Sequence, residues 1–139
     1  MAVTTAAGTT LSIGTTAANP SGDTYTLIGE VVTIPTFGRT YQLITHTPIN
    51  TRKDQKFKGS YNEGSVTIDL GLDLSDAGQL AARTASRSDD DYNFELEYPT
   101  GEIQYLTGKV MSFNTNINSV NNIIGAQIMI ELTDVTDPE

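Results

Sequence analysis

The chain of 139 residues contains a single histidine, His46, and no cysteine. Those two counts narrow the available chemistry at once. Nucleophilic catalysis of the serine–histidine type would have to recruit His46, with Ser60 or Ser65 as nucleophile and Asp69 to orient the ring. No nucleophile-elbow sequence surrounds either serine, and a strand histidine among threonines reads as a structural residue. Glu95 and Glu97 share one face of an alternating segment, as two-carboxylate chemistry would require, but so does any solvated strand pair. Asp69, Asp73, Asp76 and the triplet Asp89, Asp90, Asp91 raise the question of calcium. The segment from Asp69 to Asp76 does not carry the turn glycine and terminal bidentate glutamate of a calcium-binding helical loop. Without cysteine, neither thiolate metal sites nor disulfides are available, and no glycine-rich phosphate cradle is present. The residues therefore point to a protein that is not an enzyme and needs no cofactor or metal.

Charge says more. Eight basic residues stand against 17 acidic ones, for a net charge of −9. A chain so poor in cations should not grip nucleic acid through its phosphates, although it could line a surface past which a polyanion moves. Arg52, Lys53, Lys56 and Lys58 crowd into seven residues with one acid, Asp54, so that stretch carries +3 and the rest carries −12. This is either a solvated loop or a cationic patch for an acidic surface on a second copy. No leader with a cationic start and apolar core is evident, and no run approaches the ~20 apolar residues of a membrane span. A soluble protein without membrane insertion is expected.

The elements that must position these residues are mostly strands. Residues 1–23, rich in Thr, Ala and Gly, are expected to form a flexible N-terminal arm, with a folded domain over 24–139. The segment 24–34 predicts one strand with a bulge near Gly29, and 40–47 a second strand that stops at Pro48. Val66, Ile68 and Leu70 alternate with Ser65, Thr67 and Asp69, which predicts a half-buried strand after a turn at Asn62-Glu63-Gly64. One helix is expected, capped by Asp73 or Ser75, with Leu74, Ala77, Leu80, Ala81, Thr84 and Ala85 on its inner face. Tyr92, Phe94, Leu96 and Tyr98 alternate in the next strand. A long strand runs over 102–113 with a break near Gly108, and Ile124, Ala126, Ile128, Ile130 and Leu132 line the last one. The predicted fold is mainly β, a two-sheet sandwich of about six strands with one flanking helix.

The stretch from Gly29 through the Pro35-Thr36-Phe37-Gly38 turn to Arg52, followed by Lys56-Phe-Lys-Gly-Ser-Tyr-Asn-Glu-Gly-Ser65, resembles the tail tube proteins of long non-contractile tailed phages, the lambda-like siphophage type. Lys109-Val-Met-Ser-Phe-Asn-Thr-Asn116 and the helix start at Leu74-Ser-Asp-Ala-Gly-Gln are similar to that family as well. The resemblance implies a structural virion subunit forming hexameric rings that stack into a tube, with a closed inner β-barrel through which DNA passes unbound. The same family also builds the tubes of gene transfer agents. It implies as partners a tape measure protein in the lumen during assembly, and tail terminator and distal tail proteins at the tube ends. It places a ring-stacking loop at 48–64, with Arg52, Lys53, Lys56, Lys58 and Tyr61; by charge complementarity, Asp89, Asp90 and Asp91 are candidates for its acidic docking partner. Thr67, Asp69, Gln104, Gln127 and Glu131 become candidates for the lumen. The chain stops just after its last strand, so the extra immunoglobulin-like domain of some relatives is not expected. The alternative is a non-catalytic ligand- or carbohydrate-binding β-sandwich module.

Overall fold

The computed structural model describes residues 3–139; Met1 and Ala2, the first two of the expected arm, lie outside the described residues. Among the described residues there are nine strands: β1 (Thr10–Ile13), β2 (Thr26–Ile28), β3 (Val31–Thr33), β4 (Thr40–His46), β5 (Gln55–Asn62), β6 (Ser65–Gly71), β7 (Tyr92–Glu97), β8 (Ile103–Asn116) and β9 (Gly125–Val135). A helix, α1 (Ala77–Ala85), lies between β6 and β7, and one 3-10 turn spans Pro20–Gly22. Seven strands form one antiparallel sheet in the order β2-β1-β7-β8-β9-β6-β3, while β4 and β5 form a ribbon of their own.

The strand order dictates the shape. β2 and β3 sit at opposite ends of the sheet, yet only Gly29 and Glu30 separate them in the chain. In a flat sheet six interstrand spacings of about 4.8 Å would hold them about 29 Å apart. Three Cα–Cα steps span at most about 11 Å. The sheet must therefore curl until its first and last strands meet, giving two facing layers with the core between them. β8 carries the curl: its first half pairs with β7, its second half with β9, and the register shifts at Thr107/Gly108. A Cβ on Gly108 would stand 2.3 Å from the Glu131 carbonyl oxygen, so the bend has no room for a side chain. Both layers fill the interior: Leu11, Ile13, Phe94 and Leu96 from one, Val66, Ile68, Leu70, Ile128 and Ile130 from the other, all buried.

α1 bolts the seam. Asp76 caps it, its carboxylate accepting from the Gln79 amide at 2.9 Å and from the Gly29 amide at 3.0 Å. The Gln79 side chain, 2% exposed, donates to the Gly29 carbonyl at 3.0 Å and the Gly71 carbonyl at 2.8 Å, tying the β2–β3 link to the end of β6. Its own oxygen accepts from the Asp73 amide. Such a buried amide is tolerable because each of its polar atoms is paired.

Several expectations are corrected. Residues 1–23 do not behave as an arm over their length: β1 is an interior strand between β2 and β7, and Leu11 and Ile13 are each 1% exposed. Composition missed it because four residues with two large apolar groups suffice when both flanking strands are already present. The predicted strand over 24–34 is two strands, divided where Glu30 adopts a left-handed φ of 61°. With β1 and with β5, which forms much of the segment expected as a loop, that division raises the count to nine. The helix cap is Asp76, neither Asp73 nor Ser75, and the buried face is Gly78, Gln79, Ala82 and Ala85, while Leu74 and Leu80 are exposed. Close approach decides this face, since a Cβ on Gly78 would fall 2.0 Å from the Leu27 carbonyl oxygen.

Ile13→Ala should lower the unfolding free energy of the isolated subunit by about 2–5 kcal/mol, the cost of emptying a packed core site. Urea unfolding checks this; a change below about 0.5 kcal/mol, as at a solvated position, would return these residues to a loose arm.

Candidate assembly surfaces

The ribbon is the least satisfied part of the molecule. β4 and β5 pair only with each other, and each packs substantially on no other element. Every residue of β4 is exposed, and in β5 only Gly59 is even partly covered. A solitary two-stranded ribbon is marginal in water. This one also presents Leu43 at 66% and Phe57 at 53% exposure, along with Tyr41, Ile44 and Tyr61. The register sets Ile44 opposite Phe57 on one face, and Tyr41 opposite Tyr61 and Leu43 opposite Lys58 on the other. Neither face can serve as the solvated side of an ordinary hairpin.

A ladder of charges and rings stiffens one of these faces. Lys58 lies 4.7 Å over the Tyr41 ring, Tyr41 and Tyr61 pack with centroids 5.4 Å apart, and Arg39 lies 4.1 Å over Tyr61. At the base, Arg39 Nε donates to Glu63 at 2.7 Å, strapping together the two legs that leave the sheet. Glu63 is 5% exposed, and its other oxygen meets no donor within the described chain. Hydrogen bonding to Tyr41 and Glu63 raises the already high Arg39 pKa, so this strap stays charged. Sequence reasoning missed both Arg39 and Glu63; nothing in the local pattern separates them from solvated turn residues.

The cationic segment is only partly a loop. Lys56, Lys58 and Tyr61 lie on β5, and Arg52 and Lys53 lie in the turn between the strands. That turn is ordered by the Arg52 amide bonding to the Pro48 carbonyl at 3.0 Å and by the Thr47 hydroxyl on Asp54 at 2.6 Å. His46 sits at the ribbon's far end opposite Gln55, whereas the Ser60 hydroxyl is beside Gln42, four residues along the strand. At about 3.3 Å per residue the two are about 13 Å apart, too far for proton transfer.

The outer faces of the two layers differ. Over β7 and the start of β8 the segment after β1 lies as a cover: Tyr25 stacks on Tyr105 at 6.0 Å, and Asn93, fully buried, donates to Ala18 and Asp23. Asn93 was expected to face water by its strand alternation; the cover accounts for its burial. Asp23 anchors the cover, accepting from Thr15, Thr16, Thr24 and Asn93. Burial pushes its carboxyl pKa up, but these donors together outweigh that and hold it at about 2, below the ordinary 3.8.

Over β6, β9 and the second half of β8 no segment of the described residues lies. Thr67 pairs with Met129, Asp69 with Gln127 and Ser65 with Glu131, and the panel continues through Ser112 and Asn114. Thr67, Asp69, Gln127 and Glu131 thus come together on one bare polar face. Gln104 does not join them: it is 7% exposed, donates to the Thr136 carbonyl at 2.8 Å and accepts from the Tyr98 hydroxyl. It points inward beside Leu106, and sequence alternation placed it on the wrong side because a satisfied amide can occupy a core position. The triplet is divided as well. Asp91 pairs with Lys109 of its own chain and accepts from Thr133, while Asp89 and Asp90 are exposed. Among the described residues no cluster of three or more potential metal ligands occurs.

No protein-family model matches the chain, and no curated protein matches it. Solved structures do. The SPP1 tail tube, from a hybrid of solid-state NMR and cryo-EM, superposes with a TM-score of 0.65 at 13% identity, covering 91% of this chain and 74% of that one. This chain has the tail tube fold. The tail of an empty GTA particle, refined with C6 symmetry, superposes with a TM-score of 0.72 at 10% identity, over 96% of this chain and 98% of that one. A chain of the PVC sheath–tube complex, an extracellular contractile injection system, gives 0.65 at 12% identity over 92% and 86%. At such identities the likeness is one of fold, and it agrees with the predicted β-sandwich with a single helix.

Because the folded-state pKa of Asp23 lies below its unfolded value, its stabilising effect is fully present above about pH 4. It is lost as pH falls from there toward 2. Melting curves across that window should show a steeper acid loss for the wild type than for Asp23→Asn; parallel curves would remove Asp23 as the anchor.

Proposed function

We propose that this chain is a non-catalytic structural subunit of a tail tube, forming hexameric rings that stack and conduct DNA in the tail of a phage or phage-like particle. The observation that carries the reading is the ribbon: fifteen strand residues over β4 and β5, paired with nothing else and apolar on both faces. A strand pair of that kind is stable when neighbouring copies continue its hydrogen bonding, and closure into a ring leaves no free edge to template aggregation. The tail tube fold supports the same conclusion, as does the C6 symmetry of the GTA tail it superposes on.

The bare panel is the best candidate for the lumen wall. Apart from Met129 its residues are small or polar, and its Asp69 and Glu131 carboxylates would repel a polyanion, so that DNA slides without being held. The only cation on the panel's strands, Lys109, is engaged by Asp91. A tape measure protein would occupy this lumen during assembly, and terminator and distal tail proteins would cap the ends; the localisation is the virion tail. A conduit of this kind needs no active site.

Negative-stain microscopy of concentrated protein should show rings or tubes with a central hole. The double change Lys56→Glu, Lys58→Glu should suppress tubes while leaving the subunit's melting temperature within a few degrees of the wild type. Persistent monomers at high concentration, in a protein shown to be folded, would sink the reading.

A further inference from the structure

The two ends of the sandwich carry opposite surfaces. At one end β6 begins at Ser65, opposite Glu131, and the Leu132 amide bonds to the Gly64 carbonyl; the ribbon leaves from here. At the other end Gly71 pairs with Gly125, and the Leu72 amide donates to the Ile124 carbonyl at 2.9 Å. The connection between β8 and β9 lies there, exposing Ile117 at 64%, Val120 at 97% and Ile123 at 86%, and Leu74, two residues beyond the Leu72–Ile124 bond, is exposed at 73%. Four large apolar groups exposed together on one end exceed the scattered singles that need no explanation.

Charge is divided in the same way. Five of the eight basic residues fall between Arg39 and Lys58, on or beside the ribbon. None falls between residues 59 and 82 or after Lys109, so the acids Glu30, Asp69 and Asp73 at the far end face one nearby cation, Arg83, which is taken up by the Phe113 ring at 4.9 Å. Glu30 stands against Gly71, and Asp69 pairs with Gln127 on the last rungs of the sheet. On the ribbon, Arg52, Lys53 and Lys56 have no partner among the described residues, whereas Lys58 and Arg39 are taken up by tyrosine rings. The triplet Asp89–Asp91 cannot serve as the opposing surface, because Asp91, bonded to Lys109, lies level with the strand ends from which the ribbon departs.

We infer that the β8–β9 connection, together with Leu74, Glu30 and Asp73, is the acceptor onto which the ribbon of a second copy docks. Ile117, Val120 and Ile123 meet the ribbon's Ile44 and Phe57 face, and the acids meet Arg52, Lys53 and Lys56. A copy cannot satisfy its own acceptor. The ribbon projects from the opposite end of strands six to seven residues long, about 20 Å away. The contact is therefore heterologous, one end of a copy on the other end of the next, and repeats without closing along the axis. It rests on the tail tube reading for the existence of the assembly, and adds to it the surface that receives the stacking ribbon.

The chain has no cysteine, which makes the test clean. Lys53→Cys and Val120→Cys, made in separate copies, mixed and allowed to oxidise, should give a disulfide-linked heterodimer on a non-reducing gel. Lys53→Cys mixed with Leu80→Cys, on the exposed flank of α1, should not. Val120→Asn with Ile123→Asn should leave the subunit's melting temperature unchanged, since both side chains are in water, and raise the assembly threshold at least about tenfold. Wild-type tubes alongside an unchanged threshold for that double variant, or cross-linking to position 80 in place of 120, would overturn the acceptor while leaving the tube reading standing. A wild type that never assembles would overturn both.

Discussion

A two-residue link governs this structure. Gly29 and Glu30 must join strands that lie at opposite ends of a seven-stranded sheet, and no flat sheet permits it. Curling brings the two edges together, buries the apolar faces of both layers against each other and creates the seam that α1 covers. The Gln79 and Asp76 side chains hold that seam through bonds to Gly29 and Gly71, so the helix is less a flank than a clasp. Gly78 is the condition for it, because only a residue without Cβ lets the helix come this near to Leu27.

Once the main sheet has closed on itself, the ribbon has nowhere to go. Its legs are strapped by Arg39 and Glu63 and its rings stacked, so it is held in shape, but among the described residues nothing covers Leu43, Ile44 or Phe57. The interior is satisfied and the extension is not. Such a division between a self-sufficient body and an unsatisfied extension is what open-ended assembly requires, since the missing contacts must come from another copy. The two outer faces divide similarly: one lies under the segment anchored by Asp23, the other is left as a bare polar panel.

Much of the body was legible in the residues. Alternation located β6, β7 and β9 and assigned Val66, Ile68, Leu70, Phe94, Leu96, Ile128 and Ile130 to the interior, because a strand with one buried face has a period of two wherever it sits. The weak point was every place where a polar or small residue turned inward. Gln79, Asn93 and Gln104 are buried on account of partners far away in the chain, and no local pattern carries that information. Helix α1 was found, but its face was misjudged for the same reason: apolar Leu74 and Leu80 stand outside, and glycine and glutamine stand inside.

By itself the sequence determined the β character, the acidic balance and the cationic cluster. These are properties of composition and short-range order. The tertiary structure alone decided that Thr10–Ile13 belongs to the core, that 24–34 divides between two sheet edges, and that the cationic ribbon and the exposed β8–β9 connection lie at opposite ends. Each of those depends on which distant segments become neighbours, and closure of the sheet, not any local preference, selects them.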